Sequence, residues 1–338
     1  MKIKKTLLIT IIFVLCINLA GCSLKDGFLK LFSKEEEEII RSDEENLLTE
    51  EDEGLRKTVL YFQNSEGLLV PLMRKIPWEE GIAKLALRNM IDSPSLRETL
   101  SPIGLMPIIP VGTEITGMSI DEETGICKVD FTENLLNCET EKSEENLVKG
   151  IVYTLTEFPA IKKVQIVVGG KILPSLKHGI GIGEPLERED INLVEGEENA
   201  RSKVVVYYKE NYNQEYEYYI PVTVPTLAPT PNIYTAIEQL FEGSPSETLG
   251  LYTDIPDGLT LQGVEVRDGT AYVDVFADKL DALKEQFVID GITKNIGLTL
   301  KQFDDIEKVE LLIDGKTLEE AGIDIEHYES IPAFANEY

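Results

Sequence analysis

Phe158-Pro-Ala-Ile-Lys-Lys-Val-Gln-Ile-Val-Val-Gly-Gly-Lys171 returns later in the chain as Phe303-Asp-Asp-Ile-Glu-Lys-Val-Glu-Leu-Leu-Ile-Asp-Gly-Lys316. Val164, Ile166 and Val168 align with Val309, Leu311 and Ile313. Residues two apart share one face of a strand, so each copy presents an apolar stripe to a core. Gly169-Gly170 and Asp314-Gly315 follow the stripes and read as turns. Working outward, further landmarks keep their order. Val59 and Tyr61 match Val205 and Tyr207; Met90, Ser93 and Pro94 match Phe241, Ser244 and Pro245. Ile109-Pro110 matches Ile255-Pro256, and Lys128-Val-Asp-Phe131 matches Tyr272-Val-Asp-Val275. The chain holds two copies of one unit, with a period far longer than that of a solenoid repeat.

Each copy reads as strand, strand, helix, strand, strand, helix, strand. Ile233, Ala236, Ile237, Leu240 and Phe241 line one face of a helix, and Ile82, Leu85, Ala86 and Met90 are their partners in the first copy. Val266-Arg-Asp-Gly-Thr270 is a tight Asp-Gly hairpin, for which the first copy uses the longer Asp121-Glu-Glu-Thr-Gly125. The second helix carries Leu147, Ile151, Leu155 and Phe158, with Ser143 as its cap and Glu144 and Glu145 in the first turn. Setting these against Val288, Ile292, Ile296 and Phe303 makes the second copy one helical turn longer. The fold class is α+β: two tandem small domains, each a mixed, mostly antiparallel sheet with two helices on one face.

The N-terminus carries Lys2, Lys4 and Lys5, an apolar run from Leu7 to Leu15, and then Leu19-Ala20-Gly21-Cys22. A basic start, a short apolar stretch and small residues before a cut site form an export signal. The run is well short of the ~20 residues a spanning helix needs. A cysteine directly after the small pair resembles the bacterial lipobox, which implies that Cys22 receives lipid (palmitate among the acyl groups) and becomes the new N-terminus on the outer face of the membrane. Residues 22–54 are acidic, with Glu35–Glu38, Asp43–Glu45 and Glu50–Glu53. Such a stretch stays solvated; as a flexible tether it spans ~30 Å. The reading divides the chain into signal 1–21, tether 22–54, first domain 55–178, linker 179–201, second domain 202–320 and acidic C-terminal tail 321–338.

The chain has 338 residues and a net charge of −29. A field of that sign repels nucleic acid, so no nucleic-acid partner is expected, and attachment to the membrane must come from acyl chains. After Cys16 leaves with the signal and Cys22 takes lipid, Cys127 and Cys138 remain. A disulfide between them is open in an exported protein.

The lipobox together with two units, each ending in a strand and a Gly-Lys turn, resembles the GerM family of spore germination lipoproteins; the unit resembles the GerMN domain. The resemblance covers about residues 56–320 and the anchor. It implies a fold related to the ring-building units of secretion systems. It also implies a sporulation role between mother cell and forespore membranes, where such proteins help assemble or stabilise the channel complex through contacts with other envelope proteins.

No catalytic signature is present: no GxSxG, no HExxH, no P-loop, no dinucleotide fingerprint. No cofactor and no metal ligand set is expected. His178 beside Gly179-Ile-Gly-Ile-Gly183 reads as a mobile loop, and His327 as a solvated tail residue. Asp130 and Asp274 hold matching strand positions and are read as strand-end or turn hydrogen-bond acceptors. The segment Tyr207–Tyr219 is tyrosine-rich, and Tyr212, Tyr216 and Tyr218 form the candidate interaction surface. Half-buried strand alternation is the plain account of it, at a protein interface. Sugar stacking on peptidoglycan is the alternative. The expectation is a non-enzymatic, lipid-anchored scaffold, with a peptidoglycan- or glycan-binding envelope lipoprotein as the second reading.

Overall fold

The computed structural model describes residues 54–78, 81–196, 198–303, 306–325 and 330–337. The readings of the signal, Cys22, the tether up to residue 53 and His327 lie outside the described residues. Among the described residues no helix is long and apolar enough to cross a membrane.

In the first unit β1 (Leu55–Gln63) and β2 (Leu69–Pro77) pair antiparallel, and α1 (Ile82–Arg88) and α2 (Pro94–Leu100) follow. Next come the antiparallel strands β3 (Ile115–Asp121) and β4 (Ile126–Phe131), the long helix α3 (Glu141–Leu155), and β5 (Lys163–Val168). The second unit repeats the order. It has β6 (Ser202–Tyr212), β7 (Tyr216–Thr226), α4 (Ile233–Glu242), β8 (Leu259–Arg267), β9 (Thr270–Ala277), α5 (Gln286–Leu300) and β10 (Lys308–Ile313). Each unit therefore holds a separate hairpin and a three-stranded sheet, ordered β3-β4-β5 and β8-β9-β10. The last pairing in each is parallel. A helix between the paired strands returns the chain to the same end, which a two-residue turn cannot do.

The stripes Val164, Ile166, Val168 and Val309, Leu311, Ile313 are all buried. Strand β10 alternates buried and more exposed positions, whereas β5 is also covered on its other face. The cover is the segment after Lys171. Gln165 Nε2 donates to the Ile182 carbonyl (3.0 Å), and Val164 and Leu186 exchange backbone hydrogen bonds of 2.8 Å.

Two details of the long helices differ from the sequence reading. Both helices have 15 residues, and Phe158 and Phe303 follow at equal distance from Leu155 and Leu300. The second copy therefore has no extra turn; Leu147, Ile151 and Leu155 correspond to Ile292, Ile296 and Leu300. An apolar stripe that repeats every four residues looks the same when displaced by one turn, which is why spacing misplaced it. Thr154 and Thr299 fix the true register: their hydroxyls accept the backbone N–H of Tyr61 (3.3 Å) and Tyr207 (3.1 Å). The cap of α3 is Thr140, with Ser143 three residues in, each side chain bonded to the other's backbone N–H.

The segments after each unit are the largest departure. Asn192 accepts the Leu69 N–H (2.7 Å) and donates to the carbonyls of Leu69 and Pro221 (both 2.8 Å). Asn336 accepts the Tyr219 N–H (2.7 Å) and donates to the carbonyls of Tyr219 (2.8 Å) and Pro71 (2.7 Å). Pro71 lies opposite Tyr61, and Pro221 opposite Tyr207, so the two clamps are copies with the units exchanged. Alongside, the Thr223 N–H donates to the Ile191 carbonyl (2.9 Å) and the Met73 N–H to the Asn336 carbonyl (2.8 Å). The segment following each unit thus pairs with the second strand of the other. The described parts of 179–201 and 321–338, read from the sequence as a linker and an acidic C-terminal tail, are hydrogen-bonded into both units. They are equivalent pieces of the repeat, and one continuous apolar core runs through both units.

Candidate interaction surface

At the tip of the β6–β7 hairpin Tyr212 lies opposite Tyr216, across a turn in which Asn213 and Gln214 have φ of 54° and 60°. The Tyr212 ring lies on Gly104 of the first unit. A methyl group placed there would sit 2.5 Å from a ring carbon. Tyr216 is half-buried against the core. Tyr218 is 4% exposed, which removes it from the predicted surface. Strand β7 is covered on both faces, so Tyr218, Tyr219 and Ile220 are all buried and the alternation that suggested a half-exposed strand does not operate. Of the three tyrosines, Tyr212 and Tyr216 stay together and half-exposed, and Tyr212 already serves as a contact between the units.

Beneath this hairpin lies a polar network. Lys209 bonds to Asp254 (2.9 Å) and Glu217 (2.7 Å), the Tyr219 hydroxyl donates to Asp254, and the Tyr252 hydroxyl donates to Glu217 (3.0 Å). Asn295 holds the Asp254 N–H (2.9 Å) and donates to the Tyr207 carbonyl (2.6 Å). Burial, and then the Asp254 carboxylate, push the Tyr219 phenol up. Lys294 stands over the Tyr219 ring, 4.8 Å from its centre, and burial pushes its ammonium down. The positions matching Lys209, Tyr219, Tyr252, Asp254 and Asn295 are Gln63, Leu69, Met106, Ile108 and Gly150, and of the other side chains only Lys294 has a like counterpart, Lys149, so the network belongs to the second unit. A further group lies where the units meet. The Tyr61 hydroxyl donates to Glu157 (3.1 Å), Arg188 also donates to Glu157, and the Arg188 guanidinium lies 4.8 Å from the Tyr153 ring centre. Burial, then Glu157, raise both Tyr61 and Tyr207.

The matching aspartates do what their positions suggested. Asp130 accepts the Gly170 N–H (3.0 Å) and Asp274 the Gly315 N–H (2.8 Å), each pinning the turn after the last strand. The glycine-rich segment is tied down rather than mobile. The Glu144 carboxylate, fully buried on α3, accepts the N–H groups of His178 (2.8 Å) and Ile180 (3.0 Å), and the His178 ring meets the Cys138 carbonyl at 2.9 Å. Converging amides form an anion cradle, and this one is filled by the protein's own side chain. Cys127 and Cys138 are both buried, and both are free thiols. Burial pushes Cys127 up to about 12 and raises Cys138 as well. Among the described residues no three His, Cys, Asp or Glu side chains are grouped to hold a metal ion.

A cleft of about 880 Å³ opens between the outer face of α3 and the segment 179–189. Val148, Val152 and Leu186 form its apolar floor; Glu141, Glu145, Lys149, Glu187 and Glu189 stand around it.

The asparagines of the clamps were invisible to motif reading. The one signal for them is that Ile191-Asn192 and Ala335-Asn336 each follow their own copy at nearly the same interval.

The geometry defines a tandem pair of GerMN-like α+β units, each tied to the other by the segment that follows it. A family described as Germane, sporulation and spore germination, matches residues 59–174 and 205–319, and the chain belongs to it. It is 29% identical over 268 residues to the spore germination protein GerM of Bacillus subtilis (strain 168), covering 76% of this chain and 71% of that protein. The solved structure of the tandem GerMN domains of the sporulation protein GerM from Bacillus subtilis superposes with a TM-score of 0.71 at 27% identity, over 84% of this chain and 99% of that one.

Proposed function

We propose that the protein is a lipid-anchored, non-enzymatic member of the sporulation machinery. Held at the extracytoplasmic face of the membrane through Cys22, it acts by binding other proteins of the mother cell–forespore channel. The observation that carries this reading is the use made of its polar groups. The ionic clusters around Lys209 and Glu157, the acid on α3 and the paired aspartates are each engaged by partners inside the fold. Among the described residues, the outward groups include a half-buried tyrosine pair, an acidic cleft and apolar side chains such as Phe287, which is 73% exposed. A protein built this way supports contacts rather than turnover.

Two measurements test it. Cys22→Ala should move the protein from the membrane fraction to the soluble fraction; unchanged retention would show that the anchor is misread. Affinity purification from sporulating cells should recover channel components. Recovery of cell wall fragments in their place would favour the glycan-binding reading.

A further inference from the structure

The cleft beside α3 has a counterpart in the second unit, and the counterpart is filled. On α5, Gly297 and Thr293 hold the positions of Val152 and Val148. Ile331 and Pro332 lie directly on Gly297: a methyl group there would be 3.4 Å from the isoleucine and 3.5 Å from the proline. The covering segment is extended. Ser330 pairs with Lys308 at the edge of β10, the Ile331 N–H donates to the Glu307 carbonyl (3.1 Å), and Lys301 donates to the Ala333 carbonyl.

Counting back from the two clamp asparagines, the first unit has Glu187-Arg188-Glu189-Asp190 where the second has Ile331-Pro332-Ala333-Phe334. Charged residues replace the apolar filling. Their side chains pair with Lys163 (Glu187), Glu157 (Arg188) and Lys203 (Asp190), while Tyr153 and Lys149 of α3 donate to the Glu189 (2.5 Å) and Asp190 (2.7 Å) carbonyls. Val148 and Val152 lie at the bottom of the cleft, 6% and 3% exposed, and the apolar side chains that stay reachable from it are the half-buried Ile180 and Leu186.

The charge around that cleft is uneven. Lys142 (3.2 Å) and Lys149 (2.7 Å) are both taken by Glu145. Glu187 is 60% exposed, and Glu141 and Glu189 have no ion pair among the described residues.

We propose that this cleft is the docking site for an extended segment of a partner protein that carries apolar side chains flanked by lysine or arginine. Such a segment repeats in trans what Ile331-Pro332 does in cis, and its cations meet Glu141, Glu187 and Glu189. The inference rests on the reading that the folded body works through protein contacts, and it names where and by what chemistry one such contact is made.

The test uses the full chain in detergent and a fluorescein-labelled octapeptide, Lys-Val-Lys-Ile-Pro-Lys-Val-Lys, followed by fluorescence anisotropy. Saturable binding is expected. Glu187→Lys with Glu189→Lys should weaken it by about tenfold or more, because opposed charge becomes like charge. Glu319→Lys with Glu320→Lys, in the second unit, should leave it unchanged. A peptide with serine in place of valine, isoleucine and proline should bind at least about tenfold more weakly. Equal binding of the serine peptide, equal weakening by the remote pair, or no saturable binding at all would each overturn the assignment. In sporulating cells, crosslinking separates this proposal from the broader reading. If the wild type captures envelope proteins and the cleft variant captures the same set, the cleft is wrong and the contact role stands. If the wild type captures none, the contact role itself fails.

Discussion

Replacing Asn336 with alanine should cost the protein about 3 kcal/mol of folding stability. The side chain is buried and makes three hydrogen bonds of 2.7–2.8 Å: one from the Tyr219 N–H, one to the Tyr219 carbonyl and one to the Pro71 carbonyl. Each buried bond is worth about 1 kcal/mol net, and a backbone group left bare costs about 1–3 kcal/mol where water cannot reach it. Three such losses take a large share of the roughly 5–15 kcal/mol that holds a typical protein together. The effect has a second signature. Asn336 ties a strand of one unit to a strand of the other, so its loss weakens their coupling as well as the total. Urea denaturation read by circular dichroism gives the magnitude, and calorimetry shows whether one transition broadens or splits. Asn336→Asp retains an acceptor for the Tyr219 N–H but turns a carboxylate toward two carbonyl oxygens, and should be at least as damaging. Asn192→Ala should match Asn336→Ala within about 1 kcal/mol, since its partners are equivalent. A loss below about 0.5 kcal/mol for either alanine variant would refute the claim that the clamps hold the units together.

Thr154→Val and Thr299→Val should each cost about 1 kcal/mol by denaturant titration, because each hydroxyl satisfies the equivalent tyrosine N–H; a large effect in one unit and none in the other would break the equivalence. Gly104→Ala should destabilise by at least ~1 kcal/mol, since the position has φ of 73° and the Tyr212 ring on top of it; adding Tyr212→Ala should relieve the clash but not the backbone strain, a difference a double-mutant cycle reads directly. At alkaline pH the sign follows from burial. Cys127 and Tyr153 are both pushed up to about 12, from 9.0 and 10.0, so the unfolded chain releases these protons first. Their contribution is present in full below pH about 9 and is lost as the pH rises toward 12; a urea midpoint that does not fall between pH 8 and pH 11 would contradict this. For the same reason native Cys127 should resist alkylation at pH 8 and react once urea unfolds the protein.

Much of the architecture was legible because it is local. A strand declares itself by alternation, a turn by Gly-Gly or Asp-Gly, and a duplicated unit by recurrence of both. Asp130 and Asp274 could be placed as turn acceptors for that reason: the turn each one serves follows its neighbouring strand in both copies. Periodicity alone also explains the failures. A stripe with a four-residue repeat carries no absolute register, so the long helix of the second unit was set one turn out. The tyrosines of β7 looked half-exposed because alternation says nothing about a second layer lying on the far side of a strand.

The order of strands and helices, the duplication, the turns and the acidic balance were all determined by neighbours in the chain, and the amino-acid sequence was enough to state them. The union of the two units was decided only in three dimensions. Asn192 and Asn336 are ordinary polar residues until folding brings Leu69 and Pro221, or Tyr219 and Pro71, within hydrogen-bonding distance. Bonds that span between 29 and 265 positions leave no local pattern. The same holds for the filling of one cleft and the opening of its twin: the difference is four residues whose meaning depends on the helix they cross.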